Sequence, residues 1–397
     1  MSVFFFSVFC LAVFGLVATY AAYPIMVIVG AWLKPDPPPE EVDDDALPSV
    51  SFIIAAYNEE ASIASKIQNT LEIDYPADRF EVLVASDGST DATDEIVRSH
   101  EDPRVRLVRN EKQGGKTATT NQAVEAANGD ILVFSDATGL YNTESVRLLV
   151  RGLMNDAQLG AVAGRVVYNY DQSTTAQGFK FYQRWVVAQR KADPNIHTAT
   201  SVSGSIHAVW RKYFRKAPSH LSYDMVVPSM MAMHNRRTGY EPDATSQEIT
   251  RLRVQDEFKA RTRISVRAYS FLEWLWTERD QLQDERYAAQ LFFHKVLRWF
   301  SPHLLLLAFA AHLGLALLEG GIFLPLFLLH IGLYLLAGVC VLAESRGIKL
   351  RGSGPIVLFT ATNAAFMVGF WRWLHGTRLS SWTPDREAEE QARGTDS

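Results

Sequence analysis

A chain of 397 residues with 39 Lys and Arg against 44 Asp and Glu has a net charge of -5, which offers no footing for a nucleic-acid partner. Its two cysteines, Cys10 and Cys340, both lie in apolar runs, which excludes a disulfide framework and a cysteine zinc site. The length admits a full catalytic domain and more besides.

The chain opens without a charge from Met1 to Leu33. There is no basic leader or small-residue cleavage site, and the apolar stretch is too long for a signal peptide, so 1–33 reads as a retained transmembrane helix. Residues 34–48, including "PDPPPEEVDDDALP", form a polar, proline-rich linker. Three further charge-free runs, 299–318, 320–343 and 352–371, make 299–375 a C-terminal membrane region of two to three spans, followed by a polar tail at 376–397. Lys34 after the first span, with Lys295 and Arg298 before the second, places the intervening domain in the cytoplasm, hence a multi-pass protein of the inner (plasma) membrane. Arg346, Lys349 and Arg351 then also fall inside. A crossing by the last run would export Arg372 and Arg378 against the same rule, so that run is a re-entrant hairpin or one span is misassigned.

Between the membrane segments, strand and helix signals alternate. "VSFIIAA" (50–56), "FEVLVAS" (80–86), "RVRLV" (104–108), "DILVFS" (130–135) and "GAVAGRVVY" (160–168) read as strands. Helical patterns cover 60–72, 91–99, 115–127 and 143–155. This alternation predicts an α/β fold with a mostly parallel, Rossmann-like sheet, whose ligands bind beyond the carboxyl ends of the strands.

Those ends carry the unusual polar residues. Strand one is followed by Tyr57 and Glu59, strand two by Asp87, strand three by Gly114, Gly115 and Lys116, and strand four by Asp136. Each alone is explained by a turn or a helix cap, but all four converge on one rim. A glycine pair opening a helix, with a lysine beside it, suits a diphosphate. Neither GxxxxGK[ST] nor GxGxxG is present, which weighs against kinase and dinucleotide readings. A carboxylate near a diphosphate calls for a hard divalent cation, Mg²⁺ or Mn²⁺.

The ordered set "AYNEE", "SDGSTD", "GGK", "FSDAT", "SVSGS" and "YDMVVP" resembles the inverting family 2 glycosyltransferases, over a GT-A domain at 49–265. The flanking spans extend the resemblance to the membrane-integrated branch, similar to cellulose, hyaluronan and poly-N-acetylglucosamine synthases. It implies a nucleotide-sugar donor, usually a UDP-sugar, and a glycan or lipid-linked acceptor, with the chemistry at the cytoplasmic face of the bilayer. By position, Tyr57, Glu59 and Asp87 would hold base and ribose, and Lys116 the diphosphate. Asp136 would bind the metal as the first acid of a DxD pair whose second acid is here Thr138, a neutral and weaker ligand.

The resemblance further makes Asp224 the general base, and Gly204, Ser205 and His207 an acceptor-side segment. The alternative for Asp224 is a cap on the apolar helix that follows it, and a lone histidine is more often structural. Residues 251–298 read as basic interfacial helices. Within them Arg261 and Arg263 stand where the family closes over the donor diphosphate, without its Gln and Trp in register. The expected function is extension of an exopolysaccharide or cell-surface glycan. Transfer of one sugar to a lipid (polyprenyl phosphate or diacylglycerol) and an inactive transport or scaffold subunit are the alternatives.

Overall fold

The computed structural model describes residues 1–33, 42–169, 174–249, 254–348 and 350–380. Most of the linker, the start of the basic segment, Lys349 and most of the polar tail lie outside the described residues. The first helix runs unbroken from Ser2 to Leu33 as α1 (Ser2–Val17), a π turn (Ala18–Ala22) and α2 (Tyr23–Leu33).

The domain follows with β1 (Val50–Ala56), α3 (Ile63–Leu71), β2 (Phe80–Ser86), α4 (Thr93–Arg98), β3 (Val105–Arg109), α5 (Lys116–Ala126) and β4 (Ile131–Asp136). β1 pairs in parallel with β2 and β4, and β2 with β3. Every residue of β1 is buried, as befits a strand covered on both faces. Alternate side chains feed two cores. Ile53, Leu83, Leu132 and Phe134 face one, while Phe52, Ile54, Val82 and Val133 face the other with Ile63 and Ile67 of α3.

The second half departs from the simple alternation. β5 (Leu140–Tyr141), α6 (Ser145–Asn155), β6 (Leu159–Asn169), α7 (Thr174–Ile196), β7 (His207–Trp210), α8 (Tyr223–Met233) and β8 (Arg237–Ile249) complete an eight-stranded sheet in the order β3-β2-β1-β4-β7-β6-β8-β5. β7 wedges antiparallel between β4 and β6, whereas β8 is parallel to β6. The expected fifth strand is therefore not a neighbour of β4. Insertion of β7 brings the "SGS" segment before it to the carboxyl end of β4.

Beyond the sheet lie α9 (Val254–Thr277), α10 (Glu285–Leu291), a second π turn (Phe292–Val296), α11 (Leu297–Trp299), α12 (Ser301–Glu319), α13 (Phe323–Ser345) and α14 (Gly354–Leu374). Four helices are long and apolar enough to cross a membrane: Ser2–Leu33, α12, α13 and α14. α1 packs antiparallel to α12, with Phe9 on His312 and Tyr20 bonded to Ser301, and α13 returns beside α12, with Tyr334 reaching Leu305.

α14 behaves differently. Phe359 meets Tyr20, Asn363 accepts from Ser301, and Phe370 packs on Phe300 and His303. From Phe359 to Phe370 a helix advances about 16 Å, yet all these partners sit at one level, the first turn of α12. α14 thus passes across the foot of the helical bundle and lies along α9, where Ser265 donates to the Ala365 carbonyl and Trp373 and Arg378 both reach Glu273.

Candidate functional site

β1 and β2 deliver their rim residues into a hydrogen-bonded weave. Asn58, in the left-handed region at φ 55°, accepts from the Thr90 amide (2.6 Å), and the Glu59 amide donates to Thr93 Oγ1 (2.7 Å). Glu59 is buried and accepts from Ser62, while Tyr57 stands half-buried beside it. Asp87, also buried, takes both glycine amides: Gly114 N at 2.8 Å on Oδ1 and Gly115 N at 2.9 Å on Oδ2. Asn110 and Thr119 also donate to it. Asp87 therefore shapes the glycine turn, in which Gly115 adopts φ 92°, a conformation that a side chain would strain.

That turn aims Lys116 across the rim. Its ammonium pairs with Asp136 Oδ1 and lies 3.4 Å from the Gly204 carbonyl. Asp136 Oδ2 accepts from Ser205 Oγ at 2.8 Å. Below the turn after β4, buried Lys66 donates to the Gly139 carbonyl and stacks over Phe52 and Tyr141. Burial pushes its ammonium down to about 7, against the pull of Asp136 and Glu248. Thr138 sits in this turn, half-buried.

Asp224 closes the constellation. A Cβ built on Gly204 would lie 2.7 Å from Asp224 Oδ1 and 3.2 Å from Lys116 Nζ, so the carboxylate and the ammonium meet over a glycine with no room to spare. Asp224 is in the first turn of α8, but the N-cap is Ser222, and no side-chain capping bond forms there among the described residues. The cap alternative is not what the geometry shows. Burial raises the Asp224 carboxyl, Lys116 lowers it and Asp136 raises it, with a net upward shift. Lys116 is depressed by burial but more strongly held charged by Asp136 and Asp224, for a net rise.

Glu248, on β8, is the acid that sequence reasoning missed. Burial and then Asp136 push it up to about 7, and its Oε1 is buried without a hydrogen-bond partner among the described residues. Glu241 and Asp243, further back on the same strand, bond to one another instead, and Asp243 is exposed.

Other sequence candidates fall elsewhere. His207 is buried, stacked on Phe134 at 4.7 Å and bonded to the Ser203 carbonyl; burial pushes it down to about 3, so it is a neutral core residue rather than an acceptor contact. Tyr223 points away from Asp224 to Asn121 and the Ala217 amide. Arg261 and Arg263 are both half-buried on α9. Two residues apart on a helix they point roughly opposite ways, so they do not share one target. The arginine of that helix beside Asp224 is Arg267, one turn after Arg263.

Residues 51–216 match the family model described as Glycosyl transferase family 2. This part of the chain is a family 2 glycosyltransferase domain. The probable glycosyltransferase YdaM of Bacillus subtilis (strain 168) is 35% identical over 124 residues, 30% of this chain and 30% of that protein. The poly-beta-1,6-N-acetyl-D-glucosamine synthase of Staphylococcus aureus (strain COL) is 28% identical over 132 residues, 33% of this chain and 30% of the synthase. The matched part thus spans less than a third of either curated relative. Among solved structures, a mannosyltransferase from Pyrobaculum calidifontis in complex with GDP-Man and Mn²⁺ is similar, with TM-score 0.65 and 23% identity over 92% of this chain and 99% of that one. The fold is the GT-A fold that the motifs implied.

The contact at Gly204 yields a test. Gly204→Ala forces a methyl between Asp224 and Lys116 without touching the cores. The melting temperature is expected to stay within a few degrees while sugar transfer falls at least about tenfold. Unchanged transfer at equal stability would mean that this close approach has no part in the chemistry.

Proposed function

We propose that the chain is a membrane-embedded inverting glycosyltransferase that uses a nucleotide-sugar, a UDP-sugar in the first instance, to extend a cell-surface glycan. The observation that carries the reading is the meeting of Lys116, Asp136 and Asp224 across Gly204. A cation at the leaving-group side and a carboxylate facing it are what an in-line displacement at an anomeric carbon requires. An acceptor hydroxyl gives its proton to Asp224 and attacks C1 from the face opposite the nucleoside diphosphate, which departs toward Lys116. Tyr57, Glu59 and Thr138 border the donor side, and Ser205 orients Asp136.

The donor set fits a hard divalent cation. It is all oxygen, it includes the orphaned Glu248 Oε1, and Asp136 is otherwise committed to an ammonium. Asp136, Glu248 and the Thr138 hydroxyl would hold Mg²⁺ or Mn²⁺, with Glu248 answering for the acid that Thr138 replaces. Among the described residues no group of three His, Cys, Asp or Glu stands ready for a metal, so donor phosphate oxygens would complete the shell. Bound there, the cation would neutralise charge on the departing diphosphate.

Membrane insertion follows from the helices, with Ser2–Leu33, α12 and α13 as three crossings and α14 lying in the interface. This arrangement keeps Arg346, Arg351, Arg372 and Arg378 on the side of the catalytic domain, the cytoplasm, and removes the conflict with the positive-inside rule. Retention of Asp87, Lys116, Asp136 and Asp224 together opposes the scaffold reading.

Three outcomes test these statements. Asp224→Asn keeps shape and is expected to lower transfer by about 10²–10⁴ with UDP affinity intact. In the parent, rate rises as pH climbs through the raised Asp224 pKa, an acid limb above the usual carboxylate range, and Asn abolishes the limb. Activity within a few-fold of the parent would remove Asp224 from the role of base.

For the metal, UDP titrated by calorimetry is expected to bind more tightly with Mn²⁺ than with chelator, and Asp136→Asn or Glu248→Gln should erase most of the difference. A metal effect that persists in both variants would refute this donor set. For topology, Thr377→Cys should be labelled by an impermeant maleimide from the same side as Glu95→Cys in the domain, in a background lacking Cys10 and Cys340. Labelling from the side of Glu319→Cys would make α14 a crossing.

A further inference from the structure

Beside Asp224 lies a group of cations that the donor chemistry does not use. Arg190 and Gln189 come from α7, Arg267 from α9, and Lys295 and Arg298 from the π turn and α11. Arg298 donates to Gln189 Oε1 at 3.4 Å. The Nε atoms of Arg190, Arg267 and Arg298 and the Nε2 of Gln189 are buried with no hydrogen-bond partner among the described residues. Arg190 and Arg298 both act on Lys295, which burial pushes down to about 7, and Arg190 and Arg267 both act on Asp224.

Among the described residues little counter-charge meets them. Asp193, the acid beside them, has one oxygen taken by the Tyr23 hydroxyl (2.8 Å) and the other by His294 (2.8 Å). Among the described residues these four basic groups act on two carboxylates, one already engaged and the other, Asp224, shared with Lys116. Gathering like charges in a partly dry site is unfavourable unless an anion joins them. Buried guanidinium groups with open donors suit phosphate oxygens.

The position in the chain says which phosphate. Arg298 precedes the first turn of α12, the level crossed by α14 and reached by Tyr20. The cations thus sit where the helical bundle meets the domain, and they share Asp224 with the donor's own cation, Lys116, which pairs with Asp136.

We infer that Arg190, Arg267, Lys295 and Arg298 bind the phosphate or diphosphate of a lipid-linked acceptor, so that a hydroxyl of its head group reaches Asp224 while its hydrocarbon stays in the bilayer. This rests on the proposed glycosyltransferase reading and names the acceptor class: an anionic prenyl-type lipid carrying a sugar, not a neutral diacylglycerol and not a free glycan end.

The test measures binding alone, so it is independent of turnover. Full-length protein in neutral phosphatidylcholine nanodiscs is titrated with geranylgeranyl diphosphate, geranylgeraniol, inorganic pyrophosphate and UDP. The diphosphate lipid is expected to bind at least about tenfold more tightly than the alcohol and than pyrophosphate, and to bind equally well with the protein saturated by UDP. The double variant Arg190→Gln, Arg298→Gln should lose about tenfold or more for the lipid while holding UDP within twofold. Competition between lipid and UDP on the parent protein, which needs no variant to fold, would assign the cations to the donor diphosphate and overturn the inference. Equal affinity for alcohol and diphosphate would overturn it too, as would equal tightening by phosphatidylglycerol nanodiscs with no preference for the prenyl diphosphate, which would reduce the cluster to a headgroup contact.

Discussion

One ammonium set among three acids governs the rim. Lys116 faces Asp136, Asp224 and Glu248, all within its electrostatic reach and all half-buried. Burial first, and then the repulsion of neighbouring carboxylates, raises both Glu248 and Asp224. On the proposed reading, a divalent cation held by Asp136 would have to loosen the Lys116–Asp136 pair. The position of Lys116 in turn depends on Asp87, whose carboxylate receives both amides of the glycine turn. The polar residues of the rim form a single electrostatic unit, strung from β2 through α5 and β4 to α8.

The rim at the ends of β1 to β4 was legible because it is local. Each strand is a continuous apolar run, each turn follows it directly, and parallel pairing of β1 with β2 and β4 aligns the ends without further information. Asp224 was legible from its motif, and the structure adds why it is not a cap. Glu248 was not legible, because β8 lacks a clean alternation and joins the site only through pairing with β6, far away in sequence. His207 shows the opposite failure: its neighbours in sequence line the site while its own ring, on an inward position of β7, fills the core beside Phe134.

Hydropathy was equally blind to direction. The run at 352–371 is as charge-free as the other spans, and composition cannot tell a helix that crosses a bilayer from one that lies beneath it. The basic residues at its end bear on the same question through the positive-inside rule. Contacts with Ser301, Phe300 and Tyr20 at one level set α14 across the foot of the bundle.

The π turn at Ala18–Ala22 carries a mechanical consequence. A wide turn inserts extra residue and rotates everything after it relative to a regular helix. Below it, Phe5, Phe9 and Gly15 seat on α12; above it, Tyr23, Val27 and Gly30 form a stripe whose Tyr23 and Gly30 meet α7 at Asp193 and Ile196. Each half of one rod thereby chooses its own heading, and a second π turn at Phe292–Val296 stands where the chain re-enters the bundle. The two act as swivels at the same storey, decoupling the azimuth of the bundle from that of the layer above, so that neither has to inherit the other's seam.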